Sequence, residues 1–259
     1  MTKQFISELK QMKDNNKPIS VLTAYDVVTA QCLAESGIDL ILVGDSVGNV
    51  FSGYDTTIPV TLEDMIYHGK AVRRGAPKSI IVIDMPFMSY RVNLADSKKN
   101  AARLMRETGA NAVKCEINSN HDIDTVRELV LAGIPVMGHI GLTPQFVEQF
   151  GGFKKQGKSL QEQTVLLEQA KQLELCGAFA VVLEVIPDDL ASSITKAITI
   201  PTIGIGAGKD CDGQVLVIND LVGFNANKAP SFAKQYDNFY DKMKIAVSLF
   251  KKDVDKKSL

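Results

Sequence analysis

The stretch SIIVIDMPF, residues 79–87, decides the reading of the chain. Ile80, Ile81, Val82 and Ile83 form an apolar β-branched run that meets Asp84, and Pro86 follows. Apolar residues without polar alternation predict a strand buried on both faces, as in a parallel sheet. The run ends on a carboxylate, and the pattern recurs. LILVGDS ends on Asp45, NAVKCEI on Glu116, AVVLEVI on Glu184 and IPVMGHI on His139. One acid at a strand end is an ordinary helix cap. Repetition calls for a common structural cause.

Further strands are predicted at 20–25, 39–44, 111–116, 134–139, 179–184, 200–205 and 214–219. Helical segments fall at 27–36, 62–74, 95–108, 122–132, 160–176, 188–198 and 232–250. Several of these helices close on a glycine followed at once by the next strand, as in LVLAGIP. Eight βα units in 259 residues predict one α/β domain over 1–259, a closed (β/α)8 TIM barrel. The start, MTKQFISELKQMKDNN, adds an amphipathic N-terminal helix. GAGKDCDG, between strands seven and eight, is too short for a helix. Loops 45–61 and 140–159 are long enough to belong to a catalytic face.

A barrel explains the polar strand ends, because every strand's C-terminal end points to one mouth. Asp45, Asp84, Glu116 and Glu184 are then expected to converge. Lys114 and Glu116 share a strand face at i and i+2 and are expected to point inward together. A buried lysine needs an anionic partner, either these acids or a substrate.

Several carboxylates in one mouth repel each other unless a cation lies between them. With no His or Cys pair for zinc, oxygen donors favour a hard ion such as Mg²⁺, with Asp45, Asp84 and Glu116 as candidate ligands. Such an ion polarises a carbonyl, and Lys114 and Ser46 are placed to hold a carboxylate, so a 2-oxo acid fits. Glu184, among Val181, Val182, Leu183 and Val185, reads as a base that removes the proton beside the ketone. His139 is a candidate substrate contact, whereas His68 reads as structural and His121 as exposed. GGFKKQGK, with Lys154, Lys155 and Lys158, reads as a lid or a basic patch for an acidic cosubstrate tail.

Composition narrows the alternatives. Hydrophobic residues make up 45% and charged residues 23%, the profile of a globular protein. A net charge of −1 gives no footprint for nucleic acid. No apolar run is long enough to span a membrane. Cys32, Cys115, Cys176 and Cys211 are scattered without a CxxC pair, which predicts a reduced, cytoplasmic setting.

The motifs LTAYD, VGDSVGNVFSGYDTTIPVTLEDMIYH, VRRGAP, IDMPFMSY, GHIGLTPQ and IPTIGIGAGKDCDGQ, in order over residues 1–250, resemble the ketopantoate hydroxymethyltransferase family. The resemblance implies a barrel of the phosphoenolpyruvate/pyruvate type, commonly a decamer. It implies transfer of a one-carbon unit from 5,10-methylenetetrahydrofolate to 3-methyl-2-oxobutanoate, giving 2-dehydropantoate on the way to pantothenate and coenzyme A. Carried over by motif, Asp45 and Asp84 bind Mg²⁺, and Glu116 completes the site directly or through water. Ser46 and Lys114 hold the oxo acid near His139, and Glu184 is the general base. Two stretches depart from the family: Ile117-Asn118-Ser119-Asn120 stands where many members carry a glycine pair, and the tail is short and lysine-rich. A Mg²⁺-dependent lyase or mutase on the same barrel is the rival reading, but its KKCGH motif is absent.

Overall fold

In the computed structural model, which describes residues 5–225 and 229–257, eight parallel strands close into a barrel in sequence order. They are β1 Ile19–Thr23, β2 Leu40–Val43, β3 Ile80–Asp84, β4 Ala112–Glu116, β5 Val136–Gly141, β6 Ala180–Glu184, β7 Thr202–Ile205 and β8 Gly213–Leu216. The helices are α1 Ser7–Asp14, α2 Val27–Glu35, α3 Val47–Val50, α4 Leu62–Gly75, α5 Leu94–Thr108 and α6 Asn120–Leu131. They continue as α7 Val147–Phe150, α8 Leu160–Leu175, α9 Asp188–Ala197, α10 Ile218–Val222 and α11 Phe239–Asp255. Seven strands lie within a residue or two of their predicted limits. β8 is shorter than predicted, because Ile218 already opens α10. As expected, β7 and β8 are joined by a turn, in which Gly206 and Gly208 take positive φ.

Side-chain alternation sorts each strand into an inward and an outward set. Leu40, Leu42, Ile80, Val82, Ala112, Met137, Ala180 and Val182 pack as one core inside the barrel. Leu9 of α1 joins this core, so the N-terminal helix closes the bottom. Lys13 pins it there, donating to the carbonyls of Thr195, Ile198 and Ile200 and pairing with Asp212 at 2.9 Å. One step up the strands the inward positions turn polar. Asp84 lies opposite Lys114, Glu116 opposite His139, and Gly141 opposite Glu184.

The helices do not need the strand-ending acids as caps. Thr61, Ser119 and Ser159 open α4, α6 and α8 through capping boxes with Asp64, Asp122 and Glu162. Asn93 caps α5, and Asp26 caps α2 through the Thr29 N–H.

The chain forms two compact units, Met1–Val215 and Leu216–Leu259. The first carries the barrel core. The second carries α10 and α11. Helix α11 starts at Phe239 rather than at the predicted 232, because Asn238 accepts from the Asp241 N–H and sets the start there. Among the described residues, no helix is long and apolar enough to cross a membrane.

Candidate active site

The barrel mouth gathers the polar strand ends into one buried cluster. Lys114 Nζ lies 2.8 Å from Asp84 Oδ1, and both side chains are almost wholly buried. Asp84 Oδ2 accepts the Asp45 N–H at 3.0 Å. The link is backbone to side chain, so the end of β2 is tied to the end of β3.

Burial and like charge dominate the electrostatics. Asp45 is pushed up to about 7 by burial and the neighbouring Asp84 charge, against the opposing pull of Lys114 and Gln145. Glu116 is driven well above the carboxylate range by burial and by Asp45. Burial works against the Lys114 ammonium, but Asp84, Asp45 and Glu116 outweigh it and raise its pKa. One cation therefore faces three carboxylates.

His139 lies two residues inside β5 rather than at its end, because the strand runs on to Gly141. Gly141 takes φ +96, and a Cβ there would sit 2.3 Å from the Glu184 carbonyl oxygen, so only glycine lets β5 and β6 stay paired at this point. His139 stands between two acids, with Nδ1 3.6 Å from Glu116 Oε1 and Nε2 3.1 Å from Glu184 Oε2. Burial and the Lys114 charge lower the imidazole pKa, so the ring is neutral.

Glu184 keeps 16% of its side chain exposed, against 1% for Glu116. Its surroundings differ from the apolar wall expected from sequence. Alternation turns Val181 and Leu183 to the other face of β6, leaving Val182 as the inward neighbour and Ile205 as the cross-strand partner. Val185, the next residue, has φ +47, a strained conformation for a β-branched side chain.

A supporting layer was not visible in the sequence. Gln145, in the short 3₁₀ turn Pro144–Phe146, donates its backbone N–H to Glu116 Oε2 at 2.9 Å. Its Oε1 accepts from Arg91 Nη1 at 2.8 Å and from the Tyr90 hydroxyl at 3.2 Å. Arg91 also donates to the Glu116 carbonyl and to Asp122, and it stacks between the rings of Tyr90 and Phe146. The departure Ile117–Asn120 proves to be a helix entrance: Asn118 and Ser119 donate backbone N–H groups to Asp122, the residue that Arg91 grips.

Ser46 Oγ hydrogen-bonds Tyr25 Oη at 2.8 Å. Gly44 keeps this corner open, since a Cβ there would meet Ser46 Oγ at 2.7 Å. His68 is structural as expected: its buried Nδ1–H donates to the Tyr25 carbonyl at 2.6 Å. His121 is exposed.

Among the described residues, Glu116 Oε1 is buried with no hydrogen-bond partner, and Asp84 Oδ1 has only the Lys114 contact. Among the described residues, no group of three or more His, Cys, Asp or Glu closes into a metal cage. The donor set is hard oxygen, rich in negative charge and short of partners. This fits an ion held by one or two carboxylates that keeps waters and positions for substrate, as Mg²⁺ does.

A sequence model described as ketopantoate hydroxymethyltransferase matches residues 3–259. The 3-methyl-2-oxobutanoate hydroxymethyltransferase of Thermotoga neapolitana is 52% identical over 249 residues, covering 96% of this chain and 91% of that protein. The protein of the same name from Thermosipho melanesiensis is 52% identical over 253 residues, 98% of this chain and 95% of its own. Among solved structures, phosphonopyruvate hydrolase in complex with oxalate and Mg²⁺ superposes with a TM-score of 0.62 at 11% identity, over 99% of this chain and 87% of that one. A 2,3-dimethylmalate lyase of the PEP mutase/isocitrate lyase superfamily gives a TM-score of 0.59 at 13% identity, over 97% of this chain and 83% of its own. These two likenesses bear on the fold alone, a parallel (β/α)8 barrel.

Proposed function

Because the chain belongs to the ketopantoate hydroxymethyltransferase family, and is a transferase, we propose that it transfers a hydroxymethyl group to C3 of 3-methyl-2-oxobutanoate. The product is 2-dehydropantoate, 5,10-methylenetetrahydrofolate is the one-carbon source, and Mg²⁺ sits at the mouth. The observation that carries this reading is the single buried cluster of Asp45, Asp84, Lys114 and Glu116, joined through His139 to the part-exposed Glu184.

Asp45 and Asp84 hold the ion, and Glu116 reaches it directly or through water. The ion, when bound, withdraws electron density from the 2-oxo group and so acidifies C3–H. Lys114 has donors to spare beyond its bond to Asp84, and with Ser46 it holds the substrate carboxylate. Glu184 takes the C3 proton. His139 Nε2, 3.1 Å from Glu184 Oε2, helps to hold that carboxylate in place. Val182 and Ile205 offer an apolar surface to the two methyl groups on C3. The C3–H bond breaks and a bond from C3 to the one-carbon unit forms. Both C–N bonds that hold the one-carbon unit to the folate break, water supplies the hydroxyl, and tetrahydrofolate leaves with the C3 proton and the second proton of that water on its two nitrogens. The assembly that accompanies this reading is a homodecamer in the cytoplasm, and four free cysteines support the reduced setting.

Exchange of the C3 proton of 3-methyl-2-oxobutanoate in D₂O, followed by NMR without folate, tests the reading. Wild-type protein should exchange it only with a divalent ion present. Glu184→Gln should slow it by ~10²–10⁴-fold. Full exchange in Glu184→Gln that still binds the oxo acid would remove Glu184 as the base.

A further inference from the structure

Ser46 stands at the N-cap of α3, yet its side chain makes no cap bond to that helix. Serine at such a position ordinarily accepts from the helix's own N–H groups. Here the hydroxyl turns instead to Tyr25 Oη, 2.8 Å away and 21 positions earlier in the chain.

The end of β2 is shaped for this contact. A Cβ on Gly44 would lie 2.7 Å from Ser46 Oγ, 3.6 Å from Asp84 Oδ2 and 3.7 Å from Thr23 Cγ2. Three side chains therefore converge on the space that glycine leaves, beside a carboxylate of the proposed ion site. A larger residue at 44 would drive Ser46 away from it.

Tyr25 is buried and firmly seated. Its carbonyl accepts from His68 Nδ1 at 2.6 Å, and the His68 ring packs edge-on against Phe51 and Tyr67. The N–H of Ala24, just before it, donates to the Leu42 carbonyl. The Tyr25 hydroxyl also bonds the Thr23 side chain. Burial raises the pKa of the phenol, so the hydroxyl keeps its proton.

Thr23, Tyr25 and Ser46 thus form a chain of hydroxyls that starts on β1 and ends at the barrel mouth. Each hydroxyl has one proton to give and lone pairs to accept with. When the phenol donates to Ser46 Oγ, the serine's own proton is free to point into the mouth. Linked hydrogen bonds polarise one another, which makes the last donor in the chain a stronger one.

We propose that Tyr25 is a positioning residue for the oxo acid: its hydroxyl orients that of Ser46, so that the serine proton points at the substrate carboxylate. This rests on the reading of Ser46 as a carboxylate contact and adds the group that aims it.

Calorimetric titration of the full chain, loaded with Mg²⁺, with 3-methyl-2-oxobutanoate tests it, read beside C3 proton exchange without folate. Tyr25→Phe removes the hydroxyl and keeps the buried ring. It should weaken oxo-acid binding by ~3–10-fold, the worth of one hydrogen bond between neutral groups. KM for exchange should rise by the same factor, while the rate at saturating oxo acid stays near that of the wild type. A residue that only supports the fold would not divide the two. Ser46→Ala should weaken binding at least as much, and adding Tyr25→Phe to it should cost nothing more, because Tyr25 acts through the serine. Thr23→Val should give a smaller loss in the same direction, and it carries the test if the phenylalanine variant does not fold. Wild-type affinity in Tyr25→Phe would overturn the proposal. So would an undiminished Tyr25→Phe loss on the Ser46→Ala background, or a matching loss of Mn²⁺ affinity, which would place the effect on the ion. With exchange intact in the wild type, these results would remove Tyr25 and leave the reaction standing. Wild-type protein that binds the oxo acid but exchanges no C3 proton would count against the reaction, and the binding titrations would still judge Tyr25.

Discussion

Gln145 Nε2 donates to Asp45 Oδ2 at 2.8 Å, across 100 positions of sequence. The same side chain donates to the Met85 carbonyl, and the same residue's N–H reaches Glu116. One glutamine therefore sets the separation of two carboxylates on strands that are not neighbours, and Arg91 fixes which way its amide faces. Groups behind a metal ligand typically affect ion affinity ten- to a hundredfold. Gln145→Leu is expected to weaken Mn²⁺ binding by about that factor in an EPR titration. It should also lower stability by ~1–3 kcal/mol, because it leaves Arg91 and the Asp45 carboxylate short of partners, while the backbone N–H to Glu116 stays. Unchanged Mn²⁺ affinity would show that the carboxylates hold their places without the glutamine.

The raised carboxylates make metal-free protein sensitive to alkali. A carboxyl group that binds its proton more tightly when folded stabilises the fold at low pH, and this is lost as pH rises through the folded-state pKa. For Asp45 the window runs from its ordinary 3.8 to about 7, and Glu116 acts in the same direction. The melting temperature in EDTA should therefore fall between pH 5 and pH 8. Saturating Mg²⁺ should flatten the curve, since a cation favours the ionised forms. Parallel curves with and without Mg²⁺ would mean that the ion does not sit among these acids.

The barrel was legible because its evidence is local: each apolar run and each glycine-closed helix can be read within ten residues or so. Asp45, Asp84, Lys114, Glu116 and Glu184 were legible as positions, since a strand end in a barrel has only one place to go. The surroundings were less so. His139 was read as ending its strand, whereas Gly141 ends it, for a reason that lies in the backbone of β6. Gln145, Tyr90 and Arg91 sit in irregular segments and act through partners 25 to 100 residues away, which no periodicity records. The limits of α11 depended on a single asparagine cap.

Gly141 gives a sharp backbone test. At φ +96, with the Glu184 carbonyl only 2.3 Å from the site of a Cβ, alanine must push β5 and β6 apart. The strained conformation alone costs ~1–3 kcal/mol. Gly141→Ala should lose at least that in urea unfolding, and any folded fraction should exchange the C3 proton slowly, because Glu184 is displaced. Gly133→Ala is the control: its φ is +83, but nothing lies within 4 Å, so it should lose stability while exchange is retained. Equal effects on exchange in the two variants would mean that the close approach at Gly141 does not position Glu184.

The Lys114–Asp84 pair separates stability from chemistry. Both groups are buried, so removing one partner strands a charge. Lys114→Met should therefore destabilise by ~3–5 kcal/mol. Adding Asp84→Asn removes the stranded carboxylate while keeping an oxygen for the Asp45 N–H, so the double variant should regain most of that loss. Exchange of the C3 proton should fail in both, because the oxo acid has lost its cationic anchor and the ion one of its carboxylates. A double-mutant cycle in urea gives the coupling energy. A value near zero would show that Asp84 is stabilised mainly by other neighbours, whereas recovered exchange in the double variant would show that the pair serves the fold and not the substrate.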